Sequence, residues 1–420
     1  MTEKLISSVF RKEVLNLSAY KVAEAKDLIK LDAMENPYTW PDDIKEQWLE
    51  TLKDCPINRY PDPEAKQLAK TIKESNQIPH QSEILLGNGS DEIIQLLLMA
   101  LPANADVLAP APGFVMYKQV SLSLGLNYHS IPLQADNFEL DLPLLLDTIR
   151  NIQPSVIFLA YPNNPTGNLF NQQAIETIIE TANGLVIIDE AYAPFADASF
   201  INKLPDHNNL LVMRTVSKLG LAGLRLGFIA GNKTIIEQLN KIRLPYNINC
   251  LTQITADFAL KNQTLFKQQT QQICSDRSKV FNQLNELPGI TAYPSSANFI
   301  LFKTQENQAT EIFEKLKAQN YNITLALVES TLKDHIKGVN YTFGLGRRNM
   351  FEFDGKDIDL GLEVNWFDFK SDSVQENFQT LSYFLIAQID PRIAWSWVPS
   401  TMETGIKIGG GLVSPGYGFT

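Results

Sequence analysis

The sequence predicts an α/β protein: a large domain with a central, mostly parallel sheet, plus a small α+β domain. Three observations carry that expectation. Between about residues 45 and 250, short apolar runs alternate with helical patterns, the signature of a mainly parallel sheet covered by helices. From about 251 to 320 the texture changes to long polar helices rich in Gln, Lys and Asn, interrupted by a strand-like Asn298-Phe-Ile-Leu301 and closed by a helical stretch around Ala309 to Gln319. The chain has 420 residues, 44% hydrophobic and 20% charged, which suffices for two or three packed units of ordinary globular composition. The expected organisation is a segment at 1–44 that joins the small domain, a large domain at 45–250, a small carboxy-terminal domain at 251–330, and an atypical segment at 331–420. That last segment crowds acidic residues between Glu352 and Glu376, then carries Trp395 and Trp397 and a Gly-rich end. Its role is unknown, and its tryptophans read as anchors of a small hydrophobic cluster.

Charge and cysteines narrow the function. A formal net charge of -11 argues against a nucleic-acid partner, because displacing counterions from phosphates needs a basic face. Small anionic substrates stay open, since one buried arginine can oppose the global sign. The three cysteines, Cys55, Cys250 and Cys274, are odd in number and widely spaced, which predicts neither a zinc site nor a disulfide framework and fits a reducing cytoplasm. The stretch from Met1 to Glu13 holds only a short apolar run, Leu5 to Phe10, too little for a signal peptide. No apolar run approaches the ~18 residues of a membrane helix.

The clearest strands are Val156-Ile-Phe-Leu-Ala160, Leu185-Val-Ile-Ile188 and Leu210-Leu-Val-Met213, and each runs into a polar cluster. Open α/β sheets bind ligands just beyond the carboxyl ends of their strands, so the chemistry is expected at those three exits. The third exit reads Arg214-Thr-Val-Ser-Lys218-Leu-Gly-Leu-Ala-Gly-Leu-Arg225. Apolar, small flanks desolvate the Lys218 amine, and together with a nearby arginine they lower its pKa from about 10.4, so that it can form a Schiff base near neutral pH. The second exit, Ile187-Ile-Asp189-Glu-Ala-Tyr192, puts a carboxylate at a buried strand end and a phenol three residues later. Taken alone, Asp189 reads equally well as a cap on the next turn. A pyridoxal ring would use it to stay protonated and would use a phenol or amide beside its hydroxyl. The first exit, Tyr161-Pro-Asn-Asn164-Pro-Thr-Gly167, reads as a strand-to-helix loop or, through Asn164, as a neutral donor to that hydroxyl. Upstream, Gly87-Asn-Gly-Ser90-Asp91-Glu92 opens an apolar helix whose amino terminus suits an anion, and Phe114 in Pro112-Gly-Phe-Val-Met-Tyr117 is a residue that can stack on a planar ring.

In this order the set resembles the fold-type I, aspartate-aminotransferase-like pyridoxal-phosphate enzymes, and within them the histidinol-phosphate aminotransferases. The narrower resemblance rests on Leu17-Ser-Ala-Tyr20, on Lys30-Leu-Asp-Ala-Met-Glu-Asn36-Pro-Tyr38 and on Arg59-Tyr60-Pro-Asp62, and the whole runs from about Val14 to about Asn320. It implies that pyridoxal 5'-phosphate is held covalently by Lys218, with Asp189 on the ring nitrogen and Tyr192 and Asn164 on the ring oxygen. Ser90, Asp91, Thr215, Ser217 and Arg225 would hold the cofactor phosphate, and Tyr60 would reach it from the partner subunit of a homodimer. Tyr20, Asn36 and Asn298 would line the substrate side, Tyr20 near the substrate phosphate. The implied reaction exchanges an amino group between L-histidinol phosphate with 2-oxoglutarate and imidazole acetol phosphate with L-glutamate, a step of histidine biosynthesis.

Two departures stand out. The segment from Lys218 to Arg225 is one residue shorter than the commonest family form, with both ends intact. The strand that should follow Asn320 and carry a substrate-gripping arginine is not recognisable. Arg347 and Arg348, just after a strand-like Val339 to Phe343, are the substitutes the sequence offers, and the same pair also reads as a turn with two solvated charges. Other readings are an aromatic-amino-acid aminotransferase, a phospho-amino-acid decarboxylase, or a cofactor-binding protein that does not turn over.

Overall fold

The computed structural model describes residues 2–19, 28–305, 308–329, 351–353, 356–358 and 381–388. The chain begins with two short helices, α1 (Thr2–Val9) and α2 (Lys12–Leu15), then β1 (Ile29–Lys30), α3 (Asp42–Leu52) and α4 (Lys66–Ser75). The alternating part follows: β2 (Ser82–Gly87), α5 (Ser90–Met99), β3 (Asp106–Ala111), α6 (Val115–Ser123), β4 (Asn127–Pro132), α7 (Leu142–Ile152) and β5 (Val156–Ala160). It continues through α8 (Gln172–Thr181), β6 (Leu185–Asp189), β7 (Leu210–Thr215), β8 (Gly227–Asn232) and α9 (Lys233–Asn240). These strands form one sheet in the order β2-β8-β7-β6-β5-β3-β4, in which only β8 runs against its neighbours. The expected α/β architecture with a mostly parallel sheet is what the chain adopts.

Alternation of side chains explains why the central strands read as unbroken apolar runs. Val156 and Phe158 face one layer with Ile93, Ile94 and Leu97 of α5, whereas Ile157 and Leu159 face the other with Ile175 and Ile178 of α8. Both faces are covered, so neither residue parity can be polar. After β4 the chain returns to the other side of β3 and adds β5, β6 and β7 outward, which puts a reversal of strand order between β3 and β5. A crevice opens at the carboxyl ends there.

Beyond the large sheet come α10 (Cys250–Lys261), the long α11 (Gln263–Glu286), β9 (Thr291–Ala292), β10 (Phe299–Lys303), α12 (Gln308–Ala318), β11 (Tyr321–Asn322) and β12 (Thr324–Glu329). β1 pairs in parallel with β11, which ties the amino-terminal segment to this part. A small hairpin, β13 (Phe351–Phe353) with β14 (Lys356–Ile358), precedes β15 (Leu381–Gln388). β15 lies between β10 and β12, antiparallel to both, in a sheet of order β12-β15-β10-β9. The segment without family resemblance therefore supplies a central strand of the smaller sheet. The strand-like run at Val339 to Phe343 and the pair Arg347 and Arg348 lie outside the described residues.

Candidate active site

The crevice at the ends of β5, β6 and β7 is a cavity of about 360 Å³. Its walls include Ser90, Asp91, Phe114, Asn164, Asp189, Tyr192, Thr215, Ser217, Lys218 and Arg225. Ten of the residues expected to hold a cofactor thus meet in one place, although they come from six separate stretches of chain.

Asp189 closes β6 and is 5% exposed. Its Oδ1 accepts from the Ala191 amide at 3.1 Å and its Oδ2 from the Tyr117 hydroxyl at 2.6 Å. Burial raises its pKa to about 6, with Asp91 and Glu190 pushing the same way and the two hydrogen bonds opposing. The next residue, Glu190, is wholly buried and is neutralised by Arg214, whose Nη2 and Nε lie 2.6 and 2.9 Å from Oε2. Its other oxygen accepts from the Phe200 amide at 2.6 Å. This network anchors the start of the loop that carries Tyr192, whose hydroxyl accepts from Asn164 Nδ2 at 3.0 Å.

Lys218 stands three residues past the end of β7, in a tight turn that needs Gly220 at φ 121°. A Cβ on Gly220 would come within 3.0 Å of Asn36 Nδ2, which donates to the Leu219 carbonyl at 2.9 Å. The Lys218 amine donates to the Ala33 carbonyl at 2.7 Å and sits 5.5 Å from the centre of the Tyr192 ring. Desolvation lowers its pKa to about 8, helped by Lys30 and Arg225 and opposed by Glu35 and Asp91.

The opposite end of the cavity is a cradle for an anion. Helices α7, α8, α9 and α10 begin with an Asp or Asn side chain that accepts from their first turn. α5 begins at Gly89, at φ 87°, with no side-chain cap, so its first amides face the cavity region unsatisfied by a side chain. A Cβ at Gly89 would lie 2.7 Å from Arg225 Nη2, and that same nitrogen pairs with Asp91 Oδ2 at 3.1 Å. Thr215 and Ser217 add hydroxyls 2.9 Å apart. Donors of this kind around one end, a carboxylate and a phenol–amide pair around the middle, and an amine between them fit a phosphorylated pyridine aldehyde.

Other expected residues fall elsewhere. Tyr60 is 81% exposed and stacks on Tyr246, with ring centres 4.6 Å apart, away from this cavity. Asn36 spends its amide on Leu219 and on Gln269 Oε1 at 3.0 Å, so it braces the lysine turn and does not line the cavity. Asn298 is buried beside the wall and donates to the Met34 carbonyl at 2.9 Å. Tyr20 lies outside the described residues. Sequence reasoning gave no role to Tyr117, to the Glu190–Arg214 pair, or to the Asp32–Ala33–Met34 wall. For Tyr117 a signal existed: it follows Phe114 by three residues at a helix start, so both present to one side.

A fold and a site of this kind suit an enzyme that works with a phosphorylated pyridine cofactor. Residues 26–330 match the family described as aminotransferase class I and II, and the chain belongs to that family. Its members work with pyridoxal 5'-phosphate. Histidinol-phosphate aminotransferase 2 of Nitrosococcus oceani is 51% identical over 318 residues, 76% of this chain and 88% of that protein. The enzyme of the same name from Cupriavidus pinatubonensis is 44% identical over 79% of this chain and 90% of its own length. The crystal structure of histidinol-phosphate aminotransferase from Sinorhizobium meliloti with pyridoxal-5'-phosphate superposes with a TM-score of 0.67 at 22% identity, over 74% of this chain and 87% of that one, and shares the fold. Within the family, the protein groups with the histidinol-phosphate aminotransferases.

Proposed function

We propose that the chain holds pyridoxal 5'-phosphate in this cavity and exchanges an amino group between L-histidinol phosphate with 2-oxoglutarate and imidazole acetol phosphate with L-glutamate, in histidine biosynthesis. The observation that carries the proposal is the meeting of Lys218, Asp189, Tyr192 and Asn164 in one cavity, with Arg225 and the open start of α5 at its far end. When bound, the cofactor supplies a cationic ring that draws electron density from the substrate Cα. Asp189 keeps the ring nitrogen protonated, and Tyr192 with Asn164 faces the ring oxygen. Phe114 forms a shelf, while Ser90, Asp91, Thr215, Ser217 and Arg225 surround the phosphate. Lys218 would hold the cofactor aldehyde, and its amine, freed when the substrate amine takes its place on that carbon, would carry the proton at Cα. With a pKa of about 8, about half of its amine is neutral at pH 8, against roughly 0.3% for an unperturbed lysine.

The names of the relatives favour histidinol phosphate over an aromatic amino acid or a decarboxylation. A coupled assay of glutamate formation from L-histidinol phosphate and 2-oxoglutarate tests this directly. Turnover is expected; glutamate from phenylalanine or tyrosine alone, or release of carbon dioxide, would assign a different reaction, and no product from any donor would leave a cofactor-binding protein without turnover.

Members of the family are typically dimeric, and we infer a homodimer in which Tyr60 reaches the partner's cofactor phosphate. Support comes from the exposed stack of Tyr60 on Tyr246, with Ile57, Leu244 and Leu251 exposed close by in the chain, apolar side chains that association would cover. Cofactor should be lost as the protein is diluted through dissociation; retention by isolated monomers would remove Tyr60 from the site. No helix among the described residues is long and apolar enough to cross a membrane, and the free thiols of Cys55, Cys250 and Cys274 suit the reducing cytoplasm where we place the reaction.

A further inference from the structure

The carboxylate that faces the ring has a second keeper. Tyr117 lies in the first turn of α6, 1% exposed, with its ring stacked on Phe158 at 4.4 Å and 6° and set edge-on to Phe114 at 5.5 Å. Two aromatic neighbours fix the ring, and its hydroxyl points at Asp189 Oδ2, 2.6 Å away. With the Ala191 amide on Oδ1, each carboxylate oxygen has one donor and keeps one free direction.

We propose that Tyr117 is a positioning residue for transamination: its hydroxyl holds Asp189 ionised and oriented towards the cofactor ring nitrogen. This rests on the pyridoxal-phosphate reading above. A buried carboxyl with no donor would keep its proton and present an O–H where the ring needs a negative partner. Burial and the Asp189 charge push the Tyr117 phenol well above its usual range, so it remains a donor throughout the working pH. The other titratable groups around the pair are Asp91 on α5, Glu190 next to Asp189, Tyr128 on β4 and Tyr192. Glu190 is matched by Arg214, and burial keeps Tyr128 neutral. Asp189 is then the group whose ionisation near pH 6 depends on Tyr117.

Tyr117→Phe removes one oxygen and leaves the aromatic stack. Apo-protein is titrated with pyridoxamine 5'-phosphate, which cannot bond to Lys218, and its Kd is measured by equilibrium dialysis from pH 5.5 to 9. In the variant the acid limb of binding should move up by about half a pH unit or more, which is roughly a 1.5-fold or greater weakening at pH 6.5 that grows to about 2.6-fold or greater at pH 5.5, while Kd near pH 9 stays within about twofold. In an Asp189→Asn background the same change should leave Kd unaltered within about twofold. Tyr117→Leu also lacks the donor and should show the same shift, which covers the case of a misfolded Phe variant. A loss of affinity that is equal at every pH, or no loss at all, would overturn the role of Tyr117 and leave the cofactor reading standing. Wild-type protein that fails to bind pyridoxamine 5'-phosphate at any pH would overturn both.

Discussion

The two walls of the cavity are built by different means. On one side Asp189, Thr215, Ser217 and Lys218 hang from strands buried on both faces, and Asp189 is further held by Tyr117 and Ala191. On the other side Asp32–Ala33–Met34 forms a loop pinned by two side-chain donors, Lys218 to the Ala33 carbonyl and Asn298 to the Met34 carbonyl. A group fixed by a packed sheet has one geometry, so removing it should abolish a function outright. A loop held by two hydrogen bonds, each worth about 0.5–1.5 kcal/mol net, can shift by degrees, so changes there should be graded.

The largest effect is expected at the junction of the walls. Lys218→Ala removes the only lysine among the described residues lining the cavity, together with the contact to Ala33. The folded variant should lose the near-visible absorbance of lysine-linked cofactor entirely and fall by roughly a thousandfold or more in turnover. A wild-type spectrum in this variant would take Lys218 out of the site and end the contrast between the walls.

Asp189→Asn comes next, and it separates function from stability. Turnover should drop by roughly a hundredfold or more, because an amide cannot balance a cationic ring, though some cofactor should remain bound. The apo-protein should gain stability. The folded-state pKa of Asp189, about 6, lies above its reference value of 3.8, so its contribution to folding is full below about 3.8 and is lost as pH rises through about 6. At pH 8 the ionised, buried carboxylate therefore costs up to about 3 kcal/mol, which the amide avoids. Melting of both apo-proteins at pH 8 and pH 4.5 checks the sign: the variant should be ahead at pH 8 and keep only about a third of that lead at pH 4.5. An equal difference at both pH values would mean that Asp189 is not a strained carboxylate.

The packed wall was also the legible one. Lys218, Asp189 and Asn164 each follow an apolar run by at most a few residues, so strand, exit and functional group are read from one continuous stretch. Tyr117 escaped because its partner is 72 residues away, and only the fold brings a helix start on one strand to the end of another. The smaller sheet shows the same limit more severely. Its strand β15, Leu-Ser-Tyr-Phe-Leu-Ile-Ala-Gln, is inserted between β10 and β12 from more than fifty residues downstream of β12, and nothing local in its sequence names those neighbours. It contains no arginine. Asn36, expected on the substrate side from its motif, donates its amide within the protein to the Leu219 carbonyl and Gln269, a long-range role that its motif does not announce. Motif residues meet the cavity at the strand exits and again at Asp32, Ala33 and Met34 of the 30–38 stretch.

The smallest effect should come from the loop wall, at Asn298. Its Nδ2 donates to the Met34 carbonyl at 2.9 Å, while its buried Oδ1 has no hydrogen-bond partner among the described residues. Replacing Asn298 with Ala loses one hydrogen bond, about 1 kcal/mol, and leaves a carbonyl unmatched, but it also releases an unpaired buried oxygen that itself cost about 1–3 kcal/mol to desolvate. The two nearly offset, so the melting midpoint should change little, by less than roughly 1 kcal/mol in stability. Met34, at φ 49°, is then free to relax, and the loop moves relative to a carboxylate and an amine that do not. Substrate binding should weaken a few-fold, seen as a raised KM for histidinol phosphate with kcat nearly unchanged, since the groups that act on Cα keep their places. A fall in kcat at constant KM would show instead that Asn298 reaches the reacting atoms through the wall, and the division into a fixed and an adjustable side would fail at this residue.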